Sequence, residues 1–155
     1  MQYKKETNSL APGTKLKDRF LLSTVLGNGS SGITYMGYDL VLEQNVAIKE
    51  YMPSRLCSRG DDKIQVIPIE EHKEAFDKGL KKLWDEASMI FGSFDVPGIC
   101  SVRDYFEENG TAYIVQEYLS GMTFKEYLTK NKSFTFFAVY CIVIGIIAIA
   151  ADIII

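Results

Sequence analysis

Gly27, Gly29 and Gly32 stand at the spacing G-x-G-x-x-G, and no other feature restricts the fold of this chain as strongly. Glycines so placed let the backbone turn tightly and bring its N–H groups against phosphate oxygens. Two kinds of fold use this spacing, and the residues that follow separate them. A dinucleotide-binding turn opens a helix after its third glycine. Here Ile33, Thr34, Tyr35, Met36, Gly37 and Tyr38 follow, and such β-branched and aromatic types form strands. The segment from Phe20 to Leu26 has the same character. The glycines therefore join two strands, and Val46-Ala47-Ile48-Lys49 forms a third behind the turn Glu43-Gln44-Asn45.

A strand, a glycine-rich turn, a second strand and a V-A-I-K strand together resemble the N-terminal lobe of a serine/threonine protein kinase of the bacterial type. The resemblance covers residues 16–131. It implies an α+β fold, with a five-stranded antiparallel sheet and one long helix. It also implies ATP as the ligand: Gly27, Asn28, Gly29 and Gly32 lie over the phosphates, and Lys49 pairs with the α- and β-phosphates. Ala47 and Thr34 lie against the adenine, with Thr34 standing where the family has valine. After Lys49, the residues Glu50-Tyr51-Met52-Pro53 resemble a K-E-Y-x-P insertion of bacterial members. A helical turn near Pro53 and an irregular excursion through Ile64 to Ile67 are expected before the next helix.

That helix is predicted over Glu70 to Phe91, because Phe76, Leu80, Leu83, Ala87 and Ile90 recur at steps of four and three and so share a face. Glu86 sits between Leu83 and Ile90, and an acid at the edge of a core needs a cation. Lys49 is the expected partner, as the family's helix glutamate holds the strand lysine against the phosphates. His72, the single histidine, lies among charged residues at the helix start and receives no role.

Beyond the helix, Asp95-Val96-Pro97-Gly98-Ile99 resembles the family's D-H-P-x-I turn with valine in place of histidine. Two further strands, Cys100 to Glu107 and Thr111 to Glu117, flank Asn109-Gly110, the strongest short hairpin signal. The second runs into Gln116-Glu117-Tyr118-Leu119, which resembles the kinase hinge. By that match Gln116 is the gatekeeper, and the backbone of Glu117 and Leu119 meets the adenine edge. Val102-Arg103-Asp104 with Asn109 imitates the catalytic H-R-D-x-x-x-x-N loop, but it precedes the hinge and lies in an alternating strand. No D-F-G occurs either, so no catalytic residue is assigned and the family's magnesium ligands are not among these residues. Whether the chain is itself an enzyme is left open by the sequence.

At 155 residues and 47% hydrophobic content the chain is expected to hold one small domain rather than both lobes of a kinase. The formal net charge of -3, without charge blocks, argues against a nucleic-acid partner. Cys57, Cys100 and Cys141 share no metal or redox spacing. Residues 1–15 read as a flexible lead-in. Residues 120–128 resemble the family's approach to its first large-lobe helix, and there the resemblance stops. From Phe134 to Ala151 no charge occurs, and at about 1.5 Å per residue such a run reaches the ~30 Å of a bilayer core. A transmembrane helix over 133–155 is therefore expected. Lys125, Lys130 and Lys132 precede it, which keeps the lobe cytoplasmic on a single-pass membrane protein. The resemblance implies a lower face that the large lobe would cover, so a protein partner there is expected. Two functions follow: an ATP-binding kinase lobe, catalytically incomplete as this chain, or a membrane-tethered, pseudokinase-type interaction module that needs no nucleotide.

Overall fold

The alternation read along the chain becomes an antiparallel sheet of six strands, in the spatial order Lys15–Leu16, Phe20–Gly29, Gly32–Asp39, Gln44–Tyr51, Thr111–Glu117, Val102–Glu108. The computed structural model describes residues 8–91 and 100–121. Its strands are β1 (Lys15–Leu16), β2 (Phe20–Gly29), β3 (Gly32–Asp39), β4 (Gln44–Tyr51), β7 (Val102–Glu108) and β8 (Thr111–Glu117). The short strands β5 (Cys57–Arg59) and β6 (Val66–Pro68) pair separately, and a 3-10 turn, Glu70–His72, leads into α1 (Lys73–Ile90). The described residues up to Leu119 belong to one compact unit.

β1 and β7 are opposite edges of the sheet, yet Phe20 of β2 stacks on Phe106 of β7 at 5.8 Å between ring centres, and Phe106 on Tyr113 at 5.4 Å. The sheet, twisted as all such sheets are, curls until its edges meet. A polar clasp closes the seam. The Lys17 N–H donates to Glu108 Oε2 at 2.8 Å, and Lys17 Nζ reaches Asp104 at 2.9 Å. Arg19 grips the buried Asp39 with two bonds of 2.9 and 2.7 Å. Burial works to raise the Asp39 pKa, but Arg19 and the N–H groups of Leu42 and Val41 outweigh it and hold the carboxyl below its usual range.

Inside the curl lie Phe20, Leu22, Tyr35, Val46, Ile48, Phe106, Tyr113 and Val115, all buried. The helix packs outside it, where Phe76, Leu83 and Ala87 are buried and Leu80 and Ile90 partly so, the face that the spacing predicted. Phe76 meets Tyr51 at 5.1 Å, and Trp84 and Phe91 meet Tyr105 edge-on at 4.6 and 5.3 Å. A mid-helix glycine costs about 1 kcal/mol relative to alanine. Gly79 is tolerated because a Cβ there would fall 2.0 Å from the Tyr51 hydroxyl oxygen.

Several expectations change. The main sheet has six strands rather than five, because Lys15 and Leu16 pair with Leu21 and Phe20. The flexible lead-in gives way, from Asn8 onward, to a bound strap: Leu10 is buried, its N–H donates to the Tyr35 hydroxyl at 3.0 Å, and Gly13 N–H bonds Leu22 O at 2.8 Å. The excursion after Pro53 is an ordered hairpin, β5–β6, set by the positive φ of Lys63 and the Asp62 carboxylate accepting from the N–H groups of Ile64 and Gln65. The Asn109-Gly110 turn forms as expected, both residues at positive φ. Among the described residues no helix is long and apolar enough to cross a membrane. The expected span 133–155, the turn at 95–99 and residues 122–131 lie outside them.

Candidate functional site

Antiparallel register decides which side chains share a face, since directly opposite residues project to the same side. Gly27 of β2 stands opposite Thr34 of β3, Thr34 opposite Lys49 of β4, and Lys49 opposite Ile114 of β8. In a neighbouring row Met36 faces Ala47, and Ala47 faces Gln116. The register thus gathers five residues singled out in the sequence, Gly27, Thr34, Ala47, Lys49 and Gln116, on the outer face of the curl. Thr34, Ala47, Lys49 and Gln116 are half-buried, accessible without being loose.

The glycine turn closes this face at one end. Gly29 pairs with Gly32, and Asn28, Ser30 and Ser31 at the tip are exposed. Gly32 has φ +152, and a Cβ there would fall 1.9 Å from Glu50 O, so only glycine lets the tip lie this close to β4. Gly27 meets the opposite condition: a Cβ added to it has nothing within 4 Å, so the space beside it is open. At the other end Glu117 N–H bonds Ser101 O at 3.2 Å, and Leu119 is 67% exposed just after β8.

Lys49 forms no ion pair among the described residues. Glu86 is not brought to it. The carboxylate is 52% exposed and lies 3.8 Å from Lys82, one helical turn back. Position on the helix explains this: the buried stripe runs through Phe76, Leu83 and Ala87, and Glu86 flanks it on the solvent side. Asp104, in the sequence that imitates a catalytic loop, sits in β7 with its carboxylate held by Lys17 and lying 3.8 Å from Arg19. It closes the seam of the sheet.

No family model matches the chain. The serine/threonine-protein kinase PrkC of Bacillus subtilis (strain 168) is 30% identical over 119 residues, which is 77% of this chain and 15% of that protein. A solved structure described as the apo form of PpkA-294 superposes with a TM-score of 0.74 at 36% identity, covering 82% of this chain and 44% of the other. The chain carries the N-terminal lobe of a bacterial-type serine/threonine protein kinase. It spans about one seventh of the length of PrkC.

Directly behind Lys49, the kinase lobe contains a polar centre to which the sequence motifs assign no role, although Glu50 itself stands in the K-E-Y-x-P resemblance. Glu50 is completely buried. Its carboxylate accepts from Tyr35 at 2.7 Å, from Tyr113 at 2.9 Å and from both terminal nitrogens of Arg59 at 2.7 Å each. The Arg59 side chain is itself only 6% exposed and also donates to Asn8 O and Ile64 O. Burial disfavours the Arg59 charge, but Glu50 outweighs it and raises the pKa. Burial and then the Glu50 charge push both tyrosine hydroxyls well above their usual range, so they remain neutral donors. Burial likewise pushes the nearby Cys57 thiol up to about 11, which leaves it inert. Inward alternation along β4 put Glu50 beside Val46 and Ile48, and that acid at a core position was the available signal.

Proposed function

We propose that this lobe binds ATP as the nucleotide-holding part of a serine/threonine protein kinase. The observation that carries the reading is the row Gly27, Thr34, Lys49: it sets a cation, without an ion pair among the described residues, on the same face as a glycine turn with open space beside it. A triphosphate fits that arrangement. Backbone N–H groups of the turn residues Asn28, Gly29 and Gly32 would take phosphate oxygens, Lys49 would neutralise charge on them, and Ala47, Thr34 and Gln116 would flank the base. The hinge backbone at Glu117 and Leu119 would bond its polar edge. When bound, ATP supplies the transferable phosphoryl group; magnesium accompanies it in the family, held there by catalytic-loop and D-F-G residues. Transfer to a hydroxyl also needs a positioned carboxylate base. No H-R-D or D-F-G occurs in these 155 residues, so transfer by this chain alone is not expected.

Glu86 enters this scheme as a residue that must move or remain outside it. In the arrangement described it is paired with Lys82 and does not orient Lys49. That placement supports a second reading, in which the lobe is kept for its surface and serves as an interaction module tethered to the cytoplasmic side of a membrane by residues 133–155, without nucleotide. Thermal stabilisation by ATP, measured on the wild type and on Lys49→Ala, separates the two. An ATP-dependent rise in melting temperature that Lys49→Ala abolishes supports nucleotide binding; no rise in either protein favours the module.

A further inference from the structure

The segment that follows β4 returns to the glycine turn instead of leaving the sheet. Met52 N–H donates to Ser31 O at 3.3 Å, which ties the two together. Pro53 O then accepts from Leu56 N–H at 2.8 Å, Cys57 N–H at 3.2 Å and Cys57 Sγ at 3.3 Å, so residues 53–57 form a fixed single turn. Between this turn and the tip lies a cleft of about 690 Å³, with Asn28, Gly29 and Ser30 on one wall and Pro53, Ser54, Arg55 and Leu56 on the other. That volume is in the range of small-ligand sites. The lining carries a single charge, the Arg55 guanidinium, and no acid, on a chain whose net charge is -3. Among the described residues Arg55 makes no ion pair, whereas Arg19 and Arg59 are both committed to carboxylates.

We propose that this cleft is a phosphate subsite in which Arg55 receives a phosphate group across the glycine tip. The proposal rests on the nucleotide reading only for one source of that phosphate, the end of a nucleotide's phosphate chain; a phosphorylated side chain is the other. A guanidinium presents a planar fork that matches phosphate oxygens, and the tip offers hydroxyl and backbone donors on the opposite wall.

The test uses the full chain in a mild non-ionic detergent, with AMP, ATP, inorganic tripolyphosphate and O-phosphoserine as probes, measured by calorimetric titration on the wild type, Arg55→Ala, Arg55→Lys and Lys49→Ala. Arg55 is exposed, so its variants should melt with the wild type. Arg55→Ala should weaken tripolyphosphate about tenfold, the scale of one charged hydrogen-bonded contact, while AMP is unaffected. Arg55→Lys should recover part of the loss. A tenfold loss for ATP as well identifies the nucleotide as the source, and a loss confined to O-phosphoserine and tripolyphosphate identifies a phosphorylated side chain. Tripolyphosphate bound by the wild type and lost in Arg55→Ala, with neither nucleotide bound, keeps the subsite and removes the nucleotide reading. Equal binding of every probe to the wild type and Arg55→Ala, or no binding of tripolyphosphate at all, overturns the subsite, whatever Lys49→Ala does.

Discussion

Replacing Arg59 by alanine should be among the most damaging single changes in this lobe. The substitution removes both bonds to Glu50 and leaves a carboxylate that is completely buried, with only Tyr35 and Tyr113 to satisfy it. Removing one partner of a buried pair typically costs about 3–5 kcal/mol, because the surviving charge loses its compensation. A further loss comes from Asn8 O and Ile64 O, which accept from the same guanidinium, so the strap and the β5–β6 hairpin loosen together. At roughly 4 °C per kcal/mol for a domain of this size, melting should fall by about 12–20 °C. Lys17→Ala is the control: Lys17 pairs with Asp104 but is 48% exposed, and such pairs contribute less than about 1 kcal/mol. The assay is urea unfolding of the wild type, Arg59→Ala, Glu50→Gln and the double variant. The double variant should cost less than the sum of the singles by about 1–3 kcal/mol, the coupling of groups in one network. An Arg59→Ala variant within about 1 kcal/mol of the wild type would refute the reasoning.

Alkaline titration should destabilise the lobe. The folded-state pKa values of Tyr35 and Tyr113 are raised, so the folded chain holds protons that the unfolded chain releases, and stability present below about pH 10 is lost as pH rises above it. Melting curves from about pH 8 to 11 check this, and Tyr35→Phe should flatten the fall. Glu86→Ala should change stability by less than about 0.5 kcal/mol, since its pair with Lys82 is an exposed one on a helix surface; urea unfolding reads this. The full chain should resist alkaline carbonate extraction from membranes, whereas residues 1–132 should be released, and full release of both would remove the proposed span.

The strands were legible because the alternation in β3 and β4 survives into burial, and the Asn109-Gly110 turn fixes the register between β7 and β8; the first five residues of β8 are all buried. The helix face was legible for the same reason at a different period. Register then placed Thr34, Lys49 and Gln116 without further information. Three features were harder to read. The strap from Asn8 depends on distant partners, Tyr35 at a separation of 25 positions and Arg59 at 51, which no local pattern announces. The β5–β6 hairpin is three residues to a strand, too short for a period to be seen. Glu86 was misplaced because neighbours at Leu83 and Ile90 put it only at the margin of the apolar face. Phe76, Leu83 and Ala87 centre the buried stripe, and at about 100° per residue Glu86 lies most of a right angle round the helix from that centre.

Glu50 and Lys49 are neighbours in sequence and lie on opposite faces of one strand, and this joins the buried centre to the candidate site. Alternation sends Glu50 into the curl and Lys49 outward, so whatever fixes the register and twist of β4 around Glu50 also fixes the direction in which Lys49 projects. Tyr35 ties Glu50 to the strand that carries Thr34, and Tyr113 ties it to the strand that carries Gln116. Arg59 ties it to the hairpin that follows the Pro53 turn, and that turn reaches the glycine tip through the Met52 to Ser31 bond. A single carboxylate is thus bonded to β3, to β8 and to the β5–β6 hairpin around the strand that carries Lys49. Ordinary apolar packing on the inner side would supply burial without direction, because it has no preferred orientation. Directional bonds hold β3, β4 and β8 in a set alignment, and that alignment keeps the lysine and the glycine turn facing the same space.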